Sequence, residues 1–507
     1  MELLLSIDAG TTSVKAGLFA PTGQCLAVER DEYKLNTPAP DYAELDPEIY
    51  WRNCVRVARR VVERSNSGAA QIAAITVSSQ GETTIPVDRQ GSPLHPAIVW
   101  LDNRAVQEAR WLDEQIGPRS YDIAGIPEIS PTWTACKILW LKNNLPETYA
   151  KAHKFLLVQD WLIYRLTGRY VTDGSISCTT LLFDILSNRW WADVLEMIEL
   201  PVSRLCEVSN PGAIAGELTD EACEALGLKR HTPVVLGGMD QAVGAIGAGN
   251  IRPGIISETT GAALGMQISI PRPDVDRTRR VPVNLHSVPG LYLFQPFCPT
   301  AGLALKWFRD VFGEEELLAA RQQGVDAYDL LTNLASTAPP GCDGLLMLPH
   351  LSGALAPIYN SEARGVFCGF TLAHQKSHFI RAILEAVAFM LRRNLDVAID
   401  AGIEAHEIRT SGGGARSKLW NQIKADVCNV PVVSLLSEEA ALLGDAIIGG
   451  VAAGIFDSLA EGTQRMVVLT NRTEPGPDVA VYKALYAHYC DLDDTLDQFF
   501  RRSSSNS

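Results

Sequence analysis

The chain has 507 residues, more than one hydrophobic core usually serves, so two domains are expected. Hydrophobic residues make up 47% and charged ones 20%, the balance of an ordinary globular protein. A formal net charge of −15 disfavours nonspecific binding to nucleic acid or to an anionic membrane, while leaving room for an anionic ligand held by backbone donors and Mg²⁺.

The 11 cysteines show no C-x-x-C pair and no His/Cys cluster at zinc spacing, which points to reduced thiols in a cytoplasm. No basic leader precedes the first apolar run, and the longest apolar tract near the C-terminus, 446–456, is shorter than a bilayer span. The expectation is a soluble, cytoplasmic protein that neither enters a membrane nor binds nucleic acid.

In chain order, residues 3–7 read as a strand, Asp8-Ala9-Gly10-Thr11-Thr12-Ser13 as a polar turn, and 14–19 as a second strand. Backbone N–H groups in such a turn can form an anion nest, and the threonine hydroxyls add donors. Asp8 at a strand end suits Mg²⁺ held through water; a tight hairpin with an Asx-turn explains the same residues. Residues 46–65 form a helix pattern. Residues 72–77 and 85–87 read as strands flanking the polar run Ser78-Ser79-Gln80-Gly81-Glu82-Thr83-Thr84. The strand 97–100 ends on Trp100 and leads to Asp102 and Arg104, which are either a local ion pair or sugar contacts. From 105 to 230 the patterns are mainly helical, and Trp133, Lys137, Trp140 and Leu141 share one face that reads as core.

The centre of the chain is Val234-Val235-Leu236-Gly237-Gly238-Met239-Asp240-Gln241, a buried strand with an acid and an amide at its end. The small-residue helix that follows carries Gly244 and Gly247 one turn apart, a bare face for close helix contact. Asp240 reads as a general base, or as an acid capping that helix. The stretch 250–254 is the hinge, which sets domains at 1–250 and 251–500. Beyond it, Thr259-Thr260-Gly261 between two strand patterns repeats the style of the N-terminus and suggests internal duplication. Residues 379–393 form an amphipathic helix with Glu385 among its apolar positions. A strand at 408–410 runs into Gly412-Gly413-Gly414-Ala415-Arg416-Ser417 and a helix from Lys418, which lets a flat ligand lie close to backbone. Rossmann and P-loop spacings are absent. The small-residue segment 440–446 is expected to pack on the helix after Asp240, and 501–507 to be a disordered tail.

Taken together and in this order, these stretches resemble the FGGY carbohydrate kinase family of the actin–hexokinase ATPase superfamily. Gly365-Val366-Phe367-Cys368-Gly369-Phe370 is similar to a family signature. The resemblance implies an α/β fold of two RNase-H-like, actin-like ATPase domains flanking a central cleft, with sugar on the first domain and ATP on the second. It implies that Asp240 is the base, and that Asp8, Gly10, Thr11, Thr12, Ser13, Thr259, Thr260 and Gly261 serve the phosphates. Asp8 would hold Mg²⁺ through water. Gly412, Gly413, Gly414, Arg416 and Ser417 would serve the adenosine, and Gln80, Glu82, Trp100, Asp102, Arg104, Asp240 and Gln241 the sugar.

Glycerol kinases have an arginine where this chain has Gly81, which is expected to leave space, and a tyrosine where it has Thr132. Xylulose kinases share the Trp-x-Asp-x-Arg stretch but carry Gln-Met-His in place of Gln80-Gly81-Glu82. A ketopentose such as xylulose is the first expectation for the acceptor. A polyol (glycerol, erythritol) or another ketose follows. A homodimer is compatible with the resemblance. A client-regulated ATPase on the same core is the alternative from a different class.

Overall fold

The computed structural model describes residues 2–65, 67–273, 276 and 278–504. The first sheet is built from Leu3–Ala9 (β1), Ser13–Phe19 (β2), Cys25–Glu32 (β3), Ile72–Ser79 (β4), Ile214–Glu217 (β5) and Pro233–Met239 (β6), in the order β5-β6-β4-β1-β2-β3. β4 runs parallel to both β1 and β6, so the ends that carry Asp8, Ser79 and Met239 lie side by side. Asp8 is a strand residue, opposite Lys15 on β2, rather than part of the turn.

The second half repeats the pattern. Gly254–Thr260 (β7) and Leu264–Ile270 (β8) form a hairpin, extended by Val283–Leu285 (β9), Tyr292–Phe294 (β10) and Phe297–Cys298 (β11). Ala405–Ser411 (β12) pairs parallel with β7, followed by Val432–Leu435 (β13) and Leu469–Thr473 (β14). The duplication suggested by the two threonine-rich turns thus exists as architecture: antiparallel hairpin, then a parallel neighbour beside its first strand.

Helices form where caps and apolar spacing agree. Pro47–Arg64 (α1) starts with the Asp46 carboxylate accepting the Glu48 N–H at 3.1 Å. It buries Tyr50, Cys54, Val57, Ala58 and Val61, one stripe at helical spacing. Thr134–Asn144 (α2) packs against neighbouring helices rather than on the first sheet, Val158–Thr167 (α3) packs beside that sheet, and Asp240–Gly247 (α4) leaves the end of β6. In the second half, Lys376–Asp400 (α5) buries Ile380, Ile383, Leu384, Val387, Ala388 and Leu391, as its spacing predicts. Glu385 on that helix accepts from Arg381, Tyr482 and the Gly341 N–H, at 2.8, 2.8 and 3.0 Å. Lys418–Cys428 (α6), Ala440–Ala452 (α7) and Val479–Ser504 (α8) complete the set used below. The last of these runs four residues into the stretch expected to be a disordered tail, and 505–507 lie outside the described residues.

The contact expected between the two small-residue helices is present. A Cβ on Gly247 would lie 1.8 Å from the Ala440 carbonyl oxygen, and one on Gly444 would lie 2.0 Å from that of Val243. Backbone therefore meets backbone. α7 also lies against the first sheet, where a Cβ on Gly449 would meet Thr76 Oγ1 at 2.4 Å. Leu4, Val235, Val243, Ile246, Leu442 and Ile447 share one apolar cluster at this seam, so a helix from the second half helps to close the core of the first. Among the described residues, no helix is long and apolar enough to cross a membrane.

Candidate active site

The strand ends of the first sheet collect carboxylates. Asp240 is the first residue of α4; the cap position belongs to Met239, and the Asp240 Oδ1 accepts the adjacent Gln241 N–H at 2.6 Å. Burial, with Asp8 and Glu82 nearby, pushes its carboxyl up to about 8, against the opposing pull of that N–H and of Lys15. Burial lifts Asp8 to about 6, with Lys15 opposing. Asp445, from α7, is wholly buried; it accepts the Ser78 hydroxyl at 2.6 Å, and burial raises it well above the carboxylate range. Lys15 itself is bound to Glu439 at 2.5 Å. The concentration of acid therefore exceeds the local cation supply.

The two hairpin turns face this cluster differently. In the first, Gly10 N–H donates to Ser13 at 3.0 Å, Tyr33 holds the Gly10 and Thr12 carbonyls, and Thr11 Oγ1 accepts the Trp100 indole N–H at 2.8 Å. In the second, Thr259 Oγ1 lies 2.9 Å from Ser411 Oγ. Thr260 belongs to a buried set with Glu258, Thr410 and Lys424, in which Lys424 Nζ donates to Thr260 at 2.8 Å and to Glu258 at 3.0 Å. Both turns stay open at their tips: Thr12, Thr259 and Gly261 are exposed.

Beside the second turn lies a cavity of about 390 Å³ lined by Thr260, Gly261, Gly413, Gly414, Arg416 and Ser417, among others. Gly412 has φ +79°, and no atom lies within 4 Å of a Cβ on Gly413, so a planar ligand could rest on bare backbone there. Ser417 caps α6 by accepting the Trp420 N–H, and Arg416 is paired with Glu438 at 2.8 Å. The volume suits a nucleoside.

On the other side, Gln80 donates to the Tyr50 hydroxyl at 2.9 Å, and its buried Oε1 has no partner in the protein. Glu82 sits at φ +56°; its N–H donates to Thr179, and its carbonyl accepts from Thr134 and from Lys137, the latter at 3.1 Å. Burial raises the Glu82 carboxyl to about 7 and lowers Lys137 to about 7, each opposed by the other's charge. Asp102 and Arg104 resolve towards the ion pair. Asp102 accepts from Ala43 N–H at 2.6 Å and from Arg104 Nε at 2.8 Å; Arg104 also bonds Glu44 and lies 3.8 Å above the Tyr42 ring. Their side chains are 0% and 1% exposed, so they support the Trp100 loop from below rather than offering free groups to a sugar. The space expected at Gly81 is also corrected: a Cβ there would lie 2.6 Å from Thr179 Oγ1, which fills the place. Gln241 faces across the cleft, its Oε1 accepting from Gln267 at 3.3 Å and from Gln295.

Models of the FGGY family of carbohydrate kinases match this chain twice, the N-terminal domain over residues 3–247 and the C-terminal domain over 260–453. The chain belongs to the FGGY family of carbohydrate kinases. The chain is 31% identical to a gluconokinase of Bacillus subtilis, covering 97% of this chain and 96% of the relative. It is also 31% identical to an autoinducer-2 kinase of Yersinia enterocolitica, covering 96% and 92%. The crystal structure of a xylulose kinase from Rhodospirillum rubrum superposes with a TM-score of 0.88 at 28% identity, covering 99% and 100%. As a family member, this is an ATP-dependent carbohydrate kinase with two actin-like ATPase domains, and the client-regulated ATPase reading is set aside.

Several residues of the kinase cleft were not singled out by sequence. Lys137 reads as part of a Trp133–Leu141 core stripe, yet its amine supports the Glu82 carbonyl; a lysine within an apolar stripe needs such a partner, which was the available signal. Lys15 and Asp445 are brought in by pairing across β2 and by α7, and no local motif marks them. The Mg²⁺ that the family implies fits the donors present. Asp8 Oδ1 is a buried acceptor with no protein partner. Among the described residues no group of three His, Cys, Asp or Glu could cage a metal.

The Lys424–Glu258 pair behind the second turn is 0% exposed on both sides. Breaking one partner of such a pair costs about 3–5 kcal/mol. Lys424→Met is expected to lower the thermal midpoint strongly. An unchanged midpoint in a melting experiment would show that the pair is not structural.

Proposed function

We propose that the kinase transfers the γ-phosphate of ATP to a hydroxyl of an open-chain sugar, with a ketopentose such as xylulose as first candidate and a polyol or another ketose next. The sugar binds on 1–250 and ATP on 251–500. The reading is carried by one observation: Asp240, at the end of β6, has a carboxyl pushed up to about 8 by burial and by Asp8 and Glu82. A base poised near neutrality accepts a proton from an alcohol as the oxygen attacks, and such general bases contribute about 10²–10⁴-fold.

Gln80 and Glu82 orient the acceptor, with Trp100 forming the wall and Asp102 and Arg104 stabilising that wall from behind. The N–H groups of the two turns, with Thr11, Thr12, Ser13, Thr259 and Thr260, hold the phosphates, and Gly412 to Gly414 with Arg416 and Ser417 receive the nucleoside. Asp8 would hold Mg²⁺ through water, and the ion supplies charge neutralisation on the phosphates when bound. Closure of the cleft excludes water, a competing acceptor. The eleven free cysteines fit a reducing compartment such as the cytoplasm.

The relatives carry names for gluconate, autoinducer-2 and xylulose, so the acceptor has to be measured. ADP release is expected to depend on one compound among D-xylulose, D-ribulose, D-gluconate, erythritol and glycerol, with a phosphorylated product visible by mass spectrometry. D-gluconate preferred tenfold or more over both ketopentoses would overturn the ketose assignment. No product from any of them would overturn the acceptor class.

A further inference from the structure

Behind the strand end that carries Asp240 lies a closed set of buried side chains from four separate segments. Gln159, on the first turn of α3, accepts the Gly238 N–H on its Oε1 at 2.6 Å. Its Nε2 donates to Asp173 Oδ2 at 2.8 Å, and its backbone N–H donates to Ser79 Oγ at 2.9 Å, next to the sugar-side Gln80. The other Asp173 oxygen accepts from the Ser175 N–H at 2.9 Å and from its hydroxyl at 2.5 Å. Ser175 Oγ in turn accepts the Met239 N–H at 3.3 Å. Ser287, from the second half of the chain, places its hydroxyl 3.1 Å from Ser175 Oγ and 3.2 Å from the Gly237 carbonyl. Ser79, Gln159, Asp173 and Ser175 are 0% exposed and Ser287 is 2% exposed.

The object held by this set is the least constrained stretch of β6. Gly237 and Gly238 are consecutive glycines, Gly238 has φ +114°, and the register against β4 slips between Leu236 and Gly238. Glycine supplies the conformation but no rigidity. A Cβ at Gly238 would lie 2.1 Å from Ser175 Oγ and 2.7 Å from Ser287 Oγ, so the backbone is pressed directly onto the serines. A leucine in place of Gln159 would fill similar volume. The amide instead bonds the N–H two residues before Asp240, and a buried carboxylate fixes which way that amide points.

We propose that Gln159, oriented by Asp173, is a positioning residue that fixes the Gly237–Gly238–Met239 bend and thereby aims Asp240 at the acceptor hydroxyl, with Ser287 coupling that bend to the second half. The inference rests on Asp240 being the base. Loss of aim is felt in the chemical step and not in ground-state binding, so its signature is a fall in kcat at nearly constant KM.

The test uses the full chain with Mg²⁺, ATP and the best acceptor of the panel above, and compares Gln159→Leu, Asp173→Asn, the exchange variant Gln159→Glu with Asp173→Asn, and Asp240→Asn. Gln159→Leu is expected to lower kcat by about 100-fold with KM for ATP and acceptor within about twofold. The exchange variant keeps an acceptor for Gly238 and a donor–acceptor pair at 159 and 173, so it is expected to regain kcat that Asp173→Asn has lost. Gln159→Leu within threefold of wild type, or a loss carried by KM, overturns the inference while leaving the role of Asp240 intact. Full activity in Asp240→Asn overturns the base assignment, and the inference with it. Should Gln159→Leu fail to fold, the exchange variant decides: a folded chain with no recovery over Asp173→Asn refutes the proposal.

Discussion

Asp240→Asn is expected to bind ATP within about threefold of wild type and to lose about 10²–10⁴-fold in kcat. The amide keeps the shape of the acid and still accepts the Gln241 N–H, so the start of α4 is preserved. It cannot take the acceptor proton. A second consequence concerns stability. Asp8, Glu82 and Asp240 are raised to about 6, 7 and 8. Groups raised on folding bind more protons in the native state, so the stability they contribute falls as pH climbs through their window. Asp240→Asn removes one of these charges. Its melting temperature relative to wild type should therefore increase from about pH 5 to about pH 8 without nucleotide. A wild-type turnover number in the variant would remove Asp240 from the chemistry; a pH-independent melting difference would remove the electrostatic account.

Gly247→Val or Gly444→Val is expected to be the most damaging substitution outside the cleft. At both positions the obstacle to a Cβ is a carbonyl oxygen, 1.8 Å away for Gly247 and 2.0 Å for Gly444. A flexible side chain could move aside; backbone of a packed helix cannot without separating α4 from α7. Ordinary overpacking costs about 1–3 kcal/mol, and this case should lie at or above the top of that range. Because α4 begins at Asp240 and α7 carries Asp445, separation would also pull the carboxylate cluster apart. The expected result is an insoluble chain, or a folded one with a sharply lower melting temperature and about 100-fold less transfer. A soluble Gly444→Val variant with wild-type melting and turnover would contradict the close contact.

What the sequence made legible was whatever depends on short-range spacing. The two hairpins, the helix about Glu385 and the meeting of two glycine-bearing helices follow from alternation, helical period and missing side chains. Side-chain partners did not follow, because they depend on register between distant segments. Asp102 and Arg104 fit a sugar contact as well as an ion pair until Glu44 and the Ala43 N–H are brought alongside. Gly81 suggests empty space until Thr179, far along the chain, is placed against it. Lys137 looks like core until the Glu82 carbonyl arrives above it.

The repeated hairpin has a consequence for what the cleft can retain. Each turn, centred on Gly10–Thr12 and on Gly261–Ala263, belongs to a different half of the molecule. On the proposed role of both turns in holding phosphate, an elongated polyanion that bridges them gains a second, intramolecular engagement. A small symmetrical oxyanion such as sulfate or orthophosphate reaches a single clasp and gains no such chelate advantage. Simple phosphate in the surrounding medium should therefore compete feebly with nucleoside triphosphate, although both present the same kind of oxygen.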